Sequence, residues 1–364
     1  MVDLLSILKA MVARDASDAH FKANRPPIFR IKRELVESEF PALSGEDIHE
    51  VICFMMQEHF RKDFELQNEI DFAYHLVGVG RFRVNVFRQR NNVGIVMRVV
   101  KNKIPSFSEL NLTDVFEKIC LYQSGIVLVT GASSMGKSTT LASMVEYLNI
   151  HKKRHIMTIE DPIEYIYEDK QSIINQREVG IDTESFHKAF RYIIRQDPDV
   201  ILIGEMRDAD TFQTALAASQ TGHLVFSTLH SAYAAQAIYR ILDFFPSSLH
   251  NLVRMQLSFN LKAVTCQKLM PKADGQGIIP AVEVMIANST IVKLLRENKI
   301  EQIQKSLQLF PEEGMSSFNQ SLLSMVKTNL VTKDDALACS DMPEALEMNI
   351  KGIFLDDSHQ IMGE

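Results

Sequence analysis

The segment GASSMGKS, residues 131–138, fits the pattern GxxxxGK[ST] and lies between the apolar run GIVLVT (125–130) and a stretch of helical periodicity. No other feature of the chain constrains its fold as much. A glycine-bearing loop from a buried strand into a helix turns successive backbone N–H groups, and the positive end of the helix, toward one point. Such a point suits phosphate. The expected cradle runs through Gly131, Ala132, Ser133, Ser134, Met135, Gly136 and on to Thr139; Lys137 offsets phosphate charge and Ser138 offers a hydroxyl to a metal ion. The ligands this predicts are ATP and Mg2+.

Three more short apolar runs share this half of the chain: HIMTIE (155–160), VILIGE (200–205) and HLVFSTL (223–229). Helical patterns separate them, as in TESFHKAFRYIIRQ, where Phe186, Ala189, Phe190, Ile193 and Ile194 form one stripe that Asp197-Pro198 stops. Apolar runs of this kind belong to a parallel sheet covered on both faces, so an α/β core is expected. In such sheets ligands bind beyond the carboxyl ends of the strands. The residues delivered there are Glu160, Asp161 and Glu164, then Glu205 with Arg207, then His230, while His223 opens its run. Phosphoryl transfer to water requires a carboxylate that holds metal or orients the nucleophile, and Glu205 and Glu160 supply it. Capping of the next helix accounts equally well for Asp161 or Glu164. His223 fits a polar core or surface role better than His230 does.

Residues 1–100 pattern as a smaller mixed α/β domain. Leu4, Leu5, Leu8, Met11 and Val12 are spaced as a helix; 28–36 and 70–100 alternate as strands, with Phe82, Val84 and Val86 on one face and Arg81, Arg83 and Asn85 on the other. IHEVICFMMQEHF reads as one amphipathic helix between them. Arg83, Arg88, Arg90 and Arg98 are explained by a solvated strand face, or by a cation that reaches a nucleotide across a cleft. Ile104-Pro105 marks the connector, giving a linker over 101–114 and an ATPase core over 115–270. Residues 271–345 are expected to be helical, with a Ser/Thr cap in ANSTIVKLLRE, and 346–364 to form a mobile tail.

Composition limits the alternatives. At 364 residues, 46% hydrophobic and 23% charged, the chain suits two or three soluble domains. A net charge of −7 disfavours a nucleic-acid footprint. No apolar run approaches the roughly 18 residues of a transmembrane segment, and the N-terminus has no signal-peptide pattern, so a cytoplasmic location is expected. Cys53, Cys120, Cys266 and Cys339 lack metal-ligand spacing, which implies neither zinc nor disulfides.

Five segments, in order, resemble the signatures of the type IV pilus retraction ATPases, the PilT/PilU branch of the secretion-ATPase superfamily. They are SDAHFKANRPP, GRFRVNVFRQR, TIEDPIE, DPDVILIGEMRD and TGHLVFSTLH. The resemblance spans nearly the whole chain and implies a PAS-like N-terminal domain, a RecA-like ATPase domain and a hexameric ring. It implies a catalytic Glu205, an Asp box of Glu160, Asp161 and Glu164 on the metal side, a His box of His223 and His230, and Arg83 and Arg98 near nucleotide. Implied partners are an inner-membrane pilus platform protein and a paralogous PilT-type ATPase, with the ring peripheral at the inner face of the cytoplasmic membrane. NQREVGIDTESF, LSFNLKAVTCQKLMP and AVEVMIANSTIVKLLRE look closer to the accessory PilU group. The family's GPTGSGKS loop differs here at Ser134 and Met135; if position 134 requires positive φ, serine adds strain. Assembly or type II secretion ATPases fit less well, because the extra N-terminal region and tetracysteine motif usual in them are missing here. A feeble accessory ring gripping another ATPase is the alternative that the altered loop suggests, and a nucleic-acid translocase is disfavoured by charge.

Overall fold

In the computed structural model, which describes residues 3–31, 34–100 and 103–353, the chain forms two compact units built on separate sheets. The first takes in residues up to Lys103 together with Pro162–Ile166; the second takes in Ile104–Asp161 and the chain from Tyr167 onward. Glu164 of the acidic segment therefore belongs to the first unit, while Glu160 and Asp161 belong to the second.

The first unit is a six-stranded antiparallel sheet of β1 (Asp18–Phe21), β2 (Ile28–Ile31), β3 (Glu34–Glu37), β4 (Glu69–Leu76), β5 (Gly80–Gln89) and β6 (Asn92–Val100), in the order β3-β2-β1-β6-β5-β4. Period-two alternation settles which face is covered: Phe82, Val84 and Val86 of β5 and Met97 of β6 are fully buried, against Leu8 and Met11 of the helix Leu4–Ala13. β5 and β6 join through Arg90 and Asn91, both at positive φ (46° and 62°), the backbone of a two-residue turn that follows the sheet's twist. The single helix expected from IHEVICFMMQEHF is two, Gly45–Met55 and Glu58–Gln67, because Met56 and Gln57 are extended. Ser44 starts the first of them with a capping box to Asp47.

The second unit holds seven strands: β7 (Gly125–Thr130), β8 (His155–Glu160), β9 (Ile173–Glu178), β10 (Val200–Ile203), β11 (Leu224–Leu229), β12 (Leu261–Pro271) and β13 (Ile278–Ile286). Their order is β13-β12-β7-β11-β10-β8-β9, and every neighbouring pair is parallel except β12 with β13. The runs chosen for continuous apolarity, β7, β10 and β11, are buried at every residue, as a sheet covered on both faces demands. The helix Phe186–Ile193 buries Ala189, Phe190 and Ile193, and Ser185 caps it.

The segment 271–345 departs from its helical expectation at its start. β13 returns antiparallel along β12, since Ile279, Ala281 and Val282 to Met285 suit a strand buried on both faces, where no helical stripe can form. Helices follow from Ser289, and the cap of the helix Ser289–Arg296 is Asn288, which accepts from the Ile291 N–H at 3.0 Å, in place of a serine or threonine. Of the expected tail, residues 346–350 continue the helix Pro343–Ile350; residues 354–364, like 101–102 of the linker, lie outside the described residues. No helix among the described residues is long and apolar enough to cross a membrane.

Candidate nucleotide site

β7 delivers the chain into the loop 131–136, and the helix Lys137–His151 leaves it. Two glycines make the turn possible. Gly131 has φ 148° and a Cβ there would stand 2.7 Å from the Gln267 carbonyl oxygen; Gly136 has φ 80°. Ser134 also takes the left-handed region, with φ 62°, so the serine meets the strain foreseen for it. Met135 turns its side chain back toward β12, where its Sδ accepts the Leu269 N–H at 3.3 Å.

Lys137 is buried, and its ammonium donates to the carbonyl oxygens of Gly131 and Ala132, both at 2.8 Å. It also lies 3.3 Å from His230 Nδ1. An ammonium can only donate, so in this contact Nδ1 is the acceptor and Nε2 is the nitrogen left to donate. That nitrogen stands 3.1 Å from Glu205 Oε1, while Arg207 Nε donates to Glu205 Oε2 at 2.8 Å. The bond to Glu205 in turn raises the Arg207 pKa. A continuous polar chain of Lys137, His230, Glu205 and Arg207 thus crosses the carboxyl ends of β7, β11 and β10.

Backbone stitching sets the aim of Glu205. The Gly204 N–H donates to the Ile159 carbonyl at 2.8 Å, the Gly204 carbonyl accepts from Thr228 Oγ1 at 2.7 Å, and the Met206 N–H reaches the Thr228 carbonyl at 3.1 Å. The residue between is held from both neighbouring strands. Glu160 ends β8 with Oε1 accepting from Thr158 Oγ1 at 2.7 Å and Gln176 Nε2 at 3.2 Å, and Asp161 beside it is exposed. Ser138 occupies the first turn of the loop's helix.

Within the second unit, one predicted residue stands apart from this group. His223 precedes β11 and hydrogen-bonds Thr221 and the Ala218 carbonyl, and its own carbonyl accepts from the N–H of Gly125 at the start of β7. It therefore sits at the amino end of the parallel strands, about six residues or roughly 20 Å from the loop. Arg98 pairs with the buried Asp18 at 2.7 Å, and Arg83 approaches Asp71 at 3.9 Å, all within the first unit. Glu164 is exposed in that unit.

Sequence reasoning missed the residues that back the loop. Gln267 on β12, only 2% exposed, accepts from Thr140 Oγ1 at 2.9 Å and donates its amide to the Met135 carbonyl. The glutamine in the stretch VTCQKLM was the available signal, and it gains meaning only once β12 is placed beside β7.

The donor set suits a nucleotide with magnesium. The loop fits phosphate because its glycines leave room for the backbone alone, and Lys137 brings a cation into it. Ser138, Glu160 and Asp161 are hard oxygen donors, and magnesium draws most remaining ligands from phosphate and water.

Residues 5–323 match the family described as type II/IV secretion system protein. The chain is 41% identical over 343 residues to the type IV pilus retraction ATPase PilT of Pseudomonas aeruginosa, covering 94% of this chain and 99% of that one. It is 40% identical over 345 residues to the type IV pilus ATPase PilU of the same organism, covering 95% and 90%. Overall identity thus does not separate the two. A crystal structure of the pilus retraction motor PilT with bound ADP superposes with a TM-score of 0.89 at 44% identity, over 95% of this chain and 99% of that one. The Legionella pneumophila ATPase DotB shares the fold at a TM-score of 0.76 and 24% identity, over 92% and 94%.

Proposed function

Because the chain belongs to the type II/IV secretion system protein family, as an ATPase of the PilT/PilU type, we propose that it is the subunit of a hexameric cytoplasmic motor powering type IV pilus retraction. The observation that carries this reading is the polar chain from Lys137 through His230 to Glu205, strung across the ends of three adjacent parallel strands.

In this account the loop amides and Lys137 hold the β- and γ-phosphates of ATP, with Ser138, Glu160 and Asp161 as the protein's ligands to magnesium. Magnesium, when bound, neutralises charge that gathers on the phosphate oxygens. Glu205 orients the attacking water and takes its proton. A carboxylate held at both oxygens, by His230 and by Arg207, is aimed but not yet free to act. His230 touches both Lys137 and Glu205, so a γ-phosphate that draws on Lys137 changes what His230 offers Glu205. That contact links nucleotide state to the base. Arg83 and Arg98 of the first unit, still 48% and 67% exposed beside their carboxylate partners, are the cations this reading offers to nucleotide.

We read the first unit as the PAS-like domain and the second as RecA-like, with the ring peripheral at the inner face of the cytoplasmic membrane against a pilus platform protein. Segments such as NQREVGIDTESF favour the accessory, PilU-type position beside a paralogous ATPase, and the strained Ser134 favours modest turnover. The test is retraction in a piliated host. Replacing the gene with its Glu205→Gln form should leave pili intact and abolish the chain's share of retraction, and mass measurement should find six chains. Undiminished retraction, with any paralogue removed, would contradict the motor reading; retraction sustained by the variant only while a paralogue remains would select the accessory one.

A further inference from the structure

We propose that Gln267 is a positioning residue for the nucleotide phosphates, a buried side-chain amide on β12 that fixes the orientation of the Met135–Gly136 peptide. This rests on the reading of loop 131–138 as the nucleotide site and extends it to a residue outside the loop. A trans peptide points its C=O and N–H in opposite directions. Because the Met135 carbonyl is tied to Gln267 Nε2 on the β12 side, the Gly136 N–H faces away from β12, toward the concave side of the loop where phosphate binds.

The amide itself is oriented. Its Oε1 accepts from Thr140 Oγ1 at 2.9 Å, so Nε2 is the end that faces the loop, and Thr140 stands in the helix that the loop opens. The fit is close at two more points. A Cβ on Gly136 would come within 3.0 Å of Gln267 Nε2, and one on Gly131 within 2.7 Å of the Gln267 backbone oxygen. Gln267 thus holds the far end of the loop and the first turn of its helix from one buried position, while its backbone packs closely against the loop's start. Only a side chain that donates at one end and accepts at the other satisfies both partners.

The experiment is the affinity of the full-length protein for MgADP, read with a fluorescent ADP from pH 6 to 8.5, beside its thermal midpoint. Gln267→Met keeps the volume and loses both bonds, and should weaken binding about tenfold. Gln267→Glu donates only while protonated, so its affinity should approach the unmodified protein's at pH 6 and fall as pH rises, whereas the unmodified protein's stays flat by comparison. Thr140→Val should weaken binding about threefold and Thr140→Ser should restore it, which keeps the inference open to test if position 267 tolerates no change. Binding within twofold in every variant overturns the inference, as does a loss at position 267 that is the same in Met and Glu forms at every pH. Failure of the unmodified protein to bind ADP, with Lys137→Ala no different, would instead strike the nucleotide site itself.

Discussion

Glu283 of β13 is fully buried and lies opposite Cys266 of β12. One carboxylate oxygen accepts the Ala234 N–H at 2.9 Å, at the start of the helix Ala234–Leu242, and the other accepts from Gln304 Nε2. Lys268, Asp341 and Cys266 also face it, yet burial outweighs the favourable contacts and pushes its pKa from 4.5 to about 7. The sign follows. Between these values the folded protein holds a proton that the unfolded chain releases, so the stability Glu283 contributes is fully present below pH 4.5 and is lost as pH rises through 7. The full difference is about 3 kcal/mol, most of which falls between pH 5 and 8. Glu283→Gln removes the titration while keeping an acceptor for Ala234, and its new amide can donate to Gln304 Oε1, which has no hydrogen-bond partner, once that side chain rotates. Thermal unfolding followed by calorimetry at both pH values is the assay. In a unit of this size 1 kcal/mol moves the midpoint by about 2–4 °C. The variant should gain on the unmodified protein by roughly 5–10 °C between pH 5 and pH 8. Parallel curves for the two proteins would show that Glu283 does not carry the buried titration and would refute the reasoning.

Ser134→Gly removes a side chain from a left-handed position and should raise stability by up to about 1 kcal/mol, checked by the thermal midpoint with and without MgADP; a fall would mean that the hydroxyl matters more than the backbone. Cys120 and Cys266 are buried and burial pushes both thiols well up, so a thiol reagent at pH 8 should modify them only after unfolding, while half-buried Cys53 reacts first; prompt labelling of four thiols in the native protein would contradict the packing.

Where burial is two-sided or strictly alternating, the sequence announces its structure. The runs that became β7, β10 and β11 were legible because no charged residue interrupts them, and Phe82, Val84 and Val86 because their period is two. β12 and β13 were missed since Lys268 and Pro280 break their apolar runs, and a strand added antiparallel to a parallel sheet carries no local mark. Lys137, His230 and Glu205 could be expected together because each follows a strand that ends at the same edge. His223 was legible as well, since the two histidines flank one apolar run and so stand at its opposite ends. Gln267 depends on a contact between residues 132 apart, which only the order of strands supplies.

Steady-state ATP hydrolysis by the purified chain with Mg2+, beside its Glu205→Gln variant, tests most directly the claim that the site performs phosphoryl transfer. The account predicts measurable turnover that falls by at least about 100-fold in the variant while nucleotide binding persists. Turnover that is the same in both proteins would contradict it.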